Sequence, residues 1–204
     1  MYKNIIFDFG GVLVSYYPRV FLVDHFMNEA LENELYDITF GSEEWRRLDE
    51  GVMTRAEANR IMREKGAAIG RRFEVDTILT DWTDMLRTKE DTARLVRRLK
   101  KNGYKTFYLS NIPQDVLDQL RQRHFYSLLD GGIASCEAHL AKPDVRIYQL
   151  LLQTYGLAAS ECVFFDDNPE NAEAAGDAGI TGIAFRTASQ AAHELTARGV
   201  RLER

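Results

Sequence analysis

Short apolar runs bounded by turn residues recur along this chain, and from residue 90 onward they alternate with stretches of helical periodicity. Residues 4–9, 104–109, 132–135, 161–165 and 181–185 read as strands, rich in β-branched and aromatic side chains. Between them, 92–101 carries Leu95, Val96 and Leu99 at helical spacing and closes at Gly103. Helices are also expected over 113–122, over 144–155 with Ile147, Leu150, Leu151 and Tyr155 on one face, over 168–178 between Pro169 and Gly179, and over 189–197. Such alternation predicts βαβ units and a parallel sheet with 4–9 as a central strand.

Residues 16–88 break the alternation. They hold no convincing strand and show helical patterns over 18–36, 43–49, 54–66 and 75–86, and Thr54-Arg55-Ala56-Glu57 fits a capping box. The fold class expected is therefore α/β: a Rossmann-like parallel sheet core from 1–15 and 89–204, and an all-α unit over 16–88 inserted after the first strand. Hinges are expected near 14–17 and 87–90.

Composition narrows the function classes. A chain of 204 residues with 45% hydrophobic content can bury a core, which sets disorder aside. A net charge of −5 argues against a nucleic-acid partner, and Arg94, Arg97, Arg98, Lys100 and Lys101 read as the solvated face of one helix. Cys136 and Cys162 both fall in predicted strands and suit reduced, packed thiols. With no signal-peptide pattern and no apolar stretch of membrane-spanning length, the expected setting is cytoplasmic, away from membranes, as a monomer or small homo-oligomer. His25, His124, His139 and His193 lack metal-ligand spacing.

Four polar patches stand at or near the ends of apolar runs: Asp8, Ser110-Asn111, Lys142-Pro143 and Asp166-Asp167. Ligands in open α/β sheets bind beyond the carboxyl ends of the strands, so residues far apart in sequence can share one rim. A carboxylate nucleophile, a hydroxyl with an amide, an ammonium and a carboxylate pair together suit Mg²⁺-assisted phosphoryl transfer through an aspartyl intermediate. Adjacent carboxylates repel, so Asp166-Asp167 calls for a cation or strong donor. Ser110 and Asn111 precede a helix that Pro113 helps start, which favours anion binding, and Lys142 just before Pro143 opposes a helix dipole unless an anion faces it.

At Phe7-Asp8-Phe9-Gly10-Gly11-Val12-Leu13, Leu109-Ser110-Asn111, Lys142-Pro143 and Phe164-Phe165-Asp166-Asp167-Asn168 the chain resembles the haloacid dehalogenase superfamily. The resemblance implies that Asp8 is the nucleophile and that Lys142 neutralises it together with the transferring phosphoryl group. It further implies that Ser110 and Asn111 hold a phosphoryl oxygen and that Mg²⁺ is bound by Asp8, the Gly10 carbonyl and Asp167. Asp166 is then a second ligand or an outer partner, with Asn168 orienting the pair. The helical insert is similar to the small cap that closes over the rim in this superfamily. Substrate contacts are expected from Tyr16, Trp45 and Glu50, with Tyr17, Arg46 and Gly51 as weaker candidates, while Trp82 is expected to pack within the cap.

Gly10 departs from the pattern, because the phosphatases usually carry Asp two residues after the nucleophile. This is similar to bacterial sugar-phosphatases of the glucose-1-phosphatase type, and it removes the usual general acid. The expected activity is a Mg²⁺-dependent phosphatase acting on a small phosphate ester, a sugar phosphate such as a sugar 1-phosphate. Two alternatives are a phosphate-ligand-binding pseudo-enzyme, disfavoured by Asp8, Lys142 and Asp167, and a metal-independent dehalogenase, disfavoured by Asp166-Asp167. Lys65 and Lys89 have no context marking them as reactive, which counts against a phosphonate hydrolase.

Overall fold

In the computed structural model, which describes residues 1–202, strands β1 (Asn4–Phe7), β2 (Lys105–Ser110), β3 (Gly131–Ala134), β4 (Cys162–Asp166) and β5 (Thr181–Ala184) form one parallel sheet. Their spatial order is β3-β2-β1-β4-β5, with β1 in the middle. Phe7 lies in register with Tyr108 of β2 and Phe165 of β4, so the carboxyl ends of three neighbouring strands meet. The expected strands are displaced by only a residue or two; β1 stops at Phe7 rather than at residue 9, and Asp166 is the last residue of β4.

The helices between β1 and β2 are α1 (Pro18–Phe26), α2 (Glu29–Ile38), α3 (Glu43–Asp49), α4 (Arg55–Ala68), α5 (Arg72–Asp81) and α6 (Glu90–Lys101). They are followed by α7 (Gln114–Arg121), α8 (Ser135–Ala138), α9 (Val145–Tyr155), α10 (Pro169–Ala174) and α11 (Ala188–Ala197). The pleat sends Ile5 and Phe7 to one face of the sheet, into a cluster with Leu95, Val96 and Leu99 of α6, Leu117 of α7 and Leu195 of α11. Ile6 goes to the other face, beside Phe107, Leu109 and Phe164, under Ile147 and Leu151 of α9. On α6 the expected basic residues stand opposite the buried Leu95, Val96 and Leu99, three of them exposed and Arg98 and Lys100 partly so.

Two expected helices are reshaped. The stretch 18–36 is two helices, because Met27 turns left-handed (φ 47°) and closes α1 on the Val23 carbonyl, after which Asn28 caps α2 by accepting from the Leu31 N–H. The stretch 75–86 begins earlier, at Arg72, and tightens into a 3₁₀ turn over Trp82–Met85. Thr54 caps α4 as expected, its Oγ1 accepting from the Glu57 N–H at 3.2 Å. Cys136 lies in α8 and not in a strand, because β3 ends at Ala134. Among the described residues no helix is long and apolar enough to cross a membrane.

The chain leaves and re-enters the sheet along paired segments. Lys89 N–H donates to the Leu13 carbonyl at 2.9 Å and Ser15 N–H to the Arg87 carbonyl at 2.8 Å. The helices α1–α5 are thus strung between two linkers that run side by side.

Candidate active site

Asp8 follows β1 and Asp166 ends β4, so parallel pairing brings them together; Asp8 N–H donates to the Phe165 carbonyl at 2.9 Å. Lys142 reaches both carboxylates, with Nζ 3.1 Å from Asp8 Oδ1 and 2.5 Å from Asp166 Oδ2. Its side chain is 1% exposed, and Nζ also donates to the Leu109 carbonyl at 3.0 Å. Burial works to discharge this ammonium, but Asp8 and Asp166 outweigh burial and hold its pKa above the usual lysine value. Burial likewise pushes the Asp8 carboxyl up, to about 7, with Asp166 and Asp167 pushing further and Lys142 and Ser110 pulling back.

Asp166 and Asp167 face different ways. Asp166 is fully buried: the Asn168 N–H donates to its Oδ1 at 2.9 Å, and Asn171 Nδ2 lies 3.2 Å from both oxygens. Asp167 stands exposed at the rim, its carboxyl raised by burial and by Asp166 and lowered by Lys142 and Lys89. One oxygen from each of Asp8, Asp166 and Asp167 falls within a cluster less than 4.8 Å across. Three carboxylates against one buried ammonium leave a formal excess of two negative charges, and hard oxygens in that number fit a divalent cation such as Mg²⁺. Gly11 makes the cluster possible: it sits at φ +66°, and a Cβ there would lie 2.0 Å from Asp167 Oδ2.

Ser110 ends β2, 1% exposed, and its hydroxyl helps hold Asp8 ionised. It does not sit at a helix start, because α7 begins only at Gln114 and the Ile112 N–H is taken by Ser135 Oγ at 2.9 Å. Asn111 spends its amide on Lys142, donating from Nδ2 to the Lys142 carbonyl (2.9 Å) and accepting at Oδ1 from the Lys142 N–H (2.8 Å). That pair of bonds places the lysine. Lys142 is also outside any helix: its peptide bond to Pro143 is cis, Asp144 caps α9, and the helix starts at Val145, so ion pairs rather than a helix dipole account for its position.

Above this floor lie residues of the insert. A cavity of about 60 Å³ is lined by Phe9, Gly10, Tyr16, Trp45, Trp82, Ser110 and Asn111 among others, and most of its wall is apolar. Tyr16 therefore faces the rim. Trp45 lines the cavity but is 5% exposed, packed 4.8 Å from the Phe40 ring and 4.9 Å from Trp82, which itself packs within the insert as expected. Glu50 does not enter this cavity. It lines a neighbouring groove with Asn111 and Lys142, and its carboxylate is paired with Arg46 at 2.5 Å. Tyr17 lines neither the cavity nor the groove and is 46% exposed, its hydroxyl accepting from Lys89 Nζ at 3.2 Å.

Sequence reasoning passed over Asp49, which borders both the cavity and the groove. It also passed over Asn171 and set Lys89 aside, whose Nζ donates to the Gly11 carbonyl at 2.5 Å. Asp49 was legible in one respect: it lies four residues after Trp45 and so on the same helix face.

Comparison with known proteins identifies the family. A family model for haloacid dehalogenase-like hydrolases matches residues 2–179. The chain is 32% identical over 184 residues, 89% of each protein, to the sesquiterpene phosphatase AstK of Aspergillus oryzae. It is 28% identical over 194 residues to an enolase-phosphatase E1 of a Bradyrhizobium strain, covering 81% of this chain and 84% of that one. Among solved structures, a haloacid dehalogenase-family enzyme of Bacteroides thetaiotaomicron superposes with a TM-score of 0.73 at 21% identity, over 95% of this chain and 98% of that one. The same enzyme in complex with magnesium and inorganic phosphate superposes at 0.70 and 21% identity, over 91% of this chain and 95% of that one. With the family model spanning most of the sheet and the rim it carries, the chain belongs to the haloacid dehalogenase-like hydrolases.

Proposed function

We propose that this hydrolase is a Mg²⁺-dependent phosphatase that transfers the phosphoryl group of a small phosphate ester to Asp8 and then to water. The observation that carries the reading is the buried Lys142 bridging Asp8 and Asp166, beside a carboxylate cluster with two negative charges in excess. Asp8, Asp167 and the Gly10 carbonyl would hold the cation, with Asp166 behind them orienting Lys142. Bound there, Mg²⁺ supplies positive charge against the phosphoryl oxygens. Asp8 Oδ attacks phosphorus, Lys142 offsets the charge that gathers on the transferring group, and Ser110 offers a hydroxyl donor to its oxygens. A dehalogenase has no need of a divalent charge, and this counts against that reading.

Two substrate classes follow from different features. Gly10, with no side chain to protonate a leaving group, favours the anomeric ester of a sugar 1-phosphate, whose leaving hydroxyl is more acidic than an ordinary alcohol. The apolar wall of the cavity favours an ester with an apolar organic group, and the Aspergillus relative named a sesquiterpene phosphatase supports that second reading. A panel of glucose 1-phosphate, glucose 6-phosphate, prenyl phosphates and p-nitrophenyl phosphate, assayed with Mg²⁺ and with EDTA, tests both. Turnover is expected only with Mg²⁺ and is expected to vanish in Asp8→Asn; full turnover in EDTA sinks the phosphatase reading.

A further inference from the structure

Cleaving a phosphate ester of an ordinary alcohol leaves an alkoxide that must receive a proton, and the rim already described has none to give. Lys142 is bound to two carboxylates and a carbonyl, Asp166 is buried among donors, and Asp8 is the nucleophile of the proposed phosphatase, on which this inference rests. Gly10 has no side chain. Its backbone does not demand glycine: the nearest atoms a Cβ there would meet belong to Tyr16, at 3.5 Å, an ordinary contact.

Attack on phosphorus runs in line with departure of the leaving oxygen. Asp8 attacks from the end of β1, so the leaving oxygen departs on the side opposite Asp8, which the proposed reaction places in the cavity lined by Gly10 and Ser110. There stands Asp49, partly buried, the last residue of α3, lining the cavity with Gly10 and Ser110 and the groove with Lys142. No hydrogen bond to another described residue engages its carboxyl. Its backbone, by contrast, is anchored to the core: Ser135 Oγ donates to the Asp49 carbonyl, and His139 Nδ1 lies 2.9 Å from the Glu50 carbonyl. Gly51 (φ +69°) follows, so close to the Cys136 carbonyl that a Cβ would lie 2.1 Å from its oxygen. These contacts fix Asp49 in the wall that the cavity and the groove share.

We propose that Asp49 is the catalytic acid and base of this enzyme, taking the place of the side chain that Gly10 lacks. In the first step the Asp49 carboxyl gives its proton to the leaving oxygen as the P–O bond to the alcohol breaks and the Asp8–phosphorus bond forms. In the second, the Asp49 carboxylate takes a proton from water as the water oxygen bonds to phosphorus, the Asp8–phosphorus bond breaks and phosphate leaves. The surroundings suit the role: burial pushes the Asp49 carboxyl up to about 7, with Asp8 and Glu50 raising it and Arg55 and Lys142 lowering it. Tyr16 and Cys136 also lie near it, and Arg46, His139, Asp144 and Arg146 line the same groove.

The test is Asp49→Asn assayed in Mg²⁺ on a primary alkyl phosphate and on p-nitrophenyl phosphate, with single-turnover mixing. Loss on the alkyl ester should reach about 10²–10⁴-fold and exceed the loss on the aryl ester at least about tenfold, because p-nitrophenolate departs unprotonated. The aryl ester should also show a burst of nitrophenol and accumulation of phosphorylated Asp8, since the second step has lost its base. Equal losses on both esters without a burst overturn the assignment. Should Asp49→Asn lack the wild-type unfolding transition, the wild-type pH profile decides. A fall in kcat/KM above about pH 7 for the alkyl ester, absent for the aryl ester, supports Asp49, and a shared or missing fall overturns it. Wild-type enzyme inert toward both esters removes the phosphatase reading and this assignment together.

Discussion

Replacing Lys142 with Met keeps the volume and the flexible stem of the side chain while deleting its charge, so the cost is nearly all electrostatic. The wild-type ammonium is 1% exposed and lies 3.1 Å from Asp8 and 2.5 Å from Asp166, both of them buried. Its removal leaves two buried carboxylates facing each other, with Asp167 nearby, and no buried cation between them. Breaking a buried ion pair by deleting one partner costs about 3–5 kcal/mol. In a chain of this size each kcal/mol moves Tm by about 2–4 °C, so the midpoint should fall by about 6–20 °C. Urea unfolding and calorimetry at pH 8 without metal measure it. Adding Mg²⁺ should restore part of the loss, and so should lowering the pH to 5, where Asp8 takes up a proton. A loss under about 1 kcal/mol at pH 8, insensitive to pH and metal, refutes the reasoning.

Asp8 and Asp49 both have carboxyls raised to about 7, mainly by burial, whereas in the unfolded chain each releases its proton near the ordinary aspartate value of 3.8. The folded state therefore binds more protons between those values, and the stability of the metal-free protein should decline as pH rises from about 4 to about 7 and then level off; calorimetry at half-unit steps checks this. Gly51→Ala should lower stability by more than Gly70→Ala, which carries a similar φ of +74° but meets nothing within 4 Å. Denaturation midpoints of the two variants separate backbone strain, about 1–2 kcal/mol in each, from the clash with Cys136 in the first alone. Asp8→Asn should still bind inorganic phosphate in the presence of Mg²⁺ while forming no phosphorylated enzyme, which isothermal titration and intact-protein mass spectrometry detect together.

Much of the sheet and its rim could be read from the chain because each rim residue stands at or just past an apolar run: Asp8 after Asn4–Phe7, Ser110 and Asp166 as last residues of their strands. The division of labour within the rim could not be read so. Asn111 binds the backbone of Lys142, 31 residues away, a partnership set by how β2 and the 139–144 loop pack. Asp166 and Asp167 look equivalent in sequence, but the pleat turns the first into the Lys142 pocket and the second toward solvent. Asp49 was hidden in a run of charges, Glu43, Glu44, Arg46, Arg47 and Glu50, that reads as a solvated surface. The break at Met27 escaped notice because methionine seldom adopts a left-handed conformation and carries no turn signal.

The side-by-side linkers at Leu13–Ser15 and Arg87–Lys89 have a consequence for how such proteins diversify. Because exit and entry points are bonded to each other, everything between them is, to the sheet, a closed loop whose ends already coincide. Lengthening a closed loop costs little, about 0.6 kcal/mol of chain entropy for each doubling. Helices could be added, lost or exchanged between those two points while Asp8, Ser110, Lys142 and Asp166 kept their places. The geometry of the rim is thereby insulated from changes in the inserted helices, which can be rewritten as one loop without rebuilding the fold.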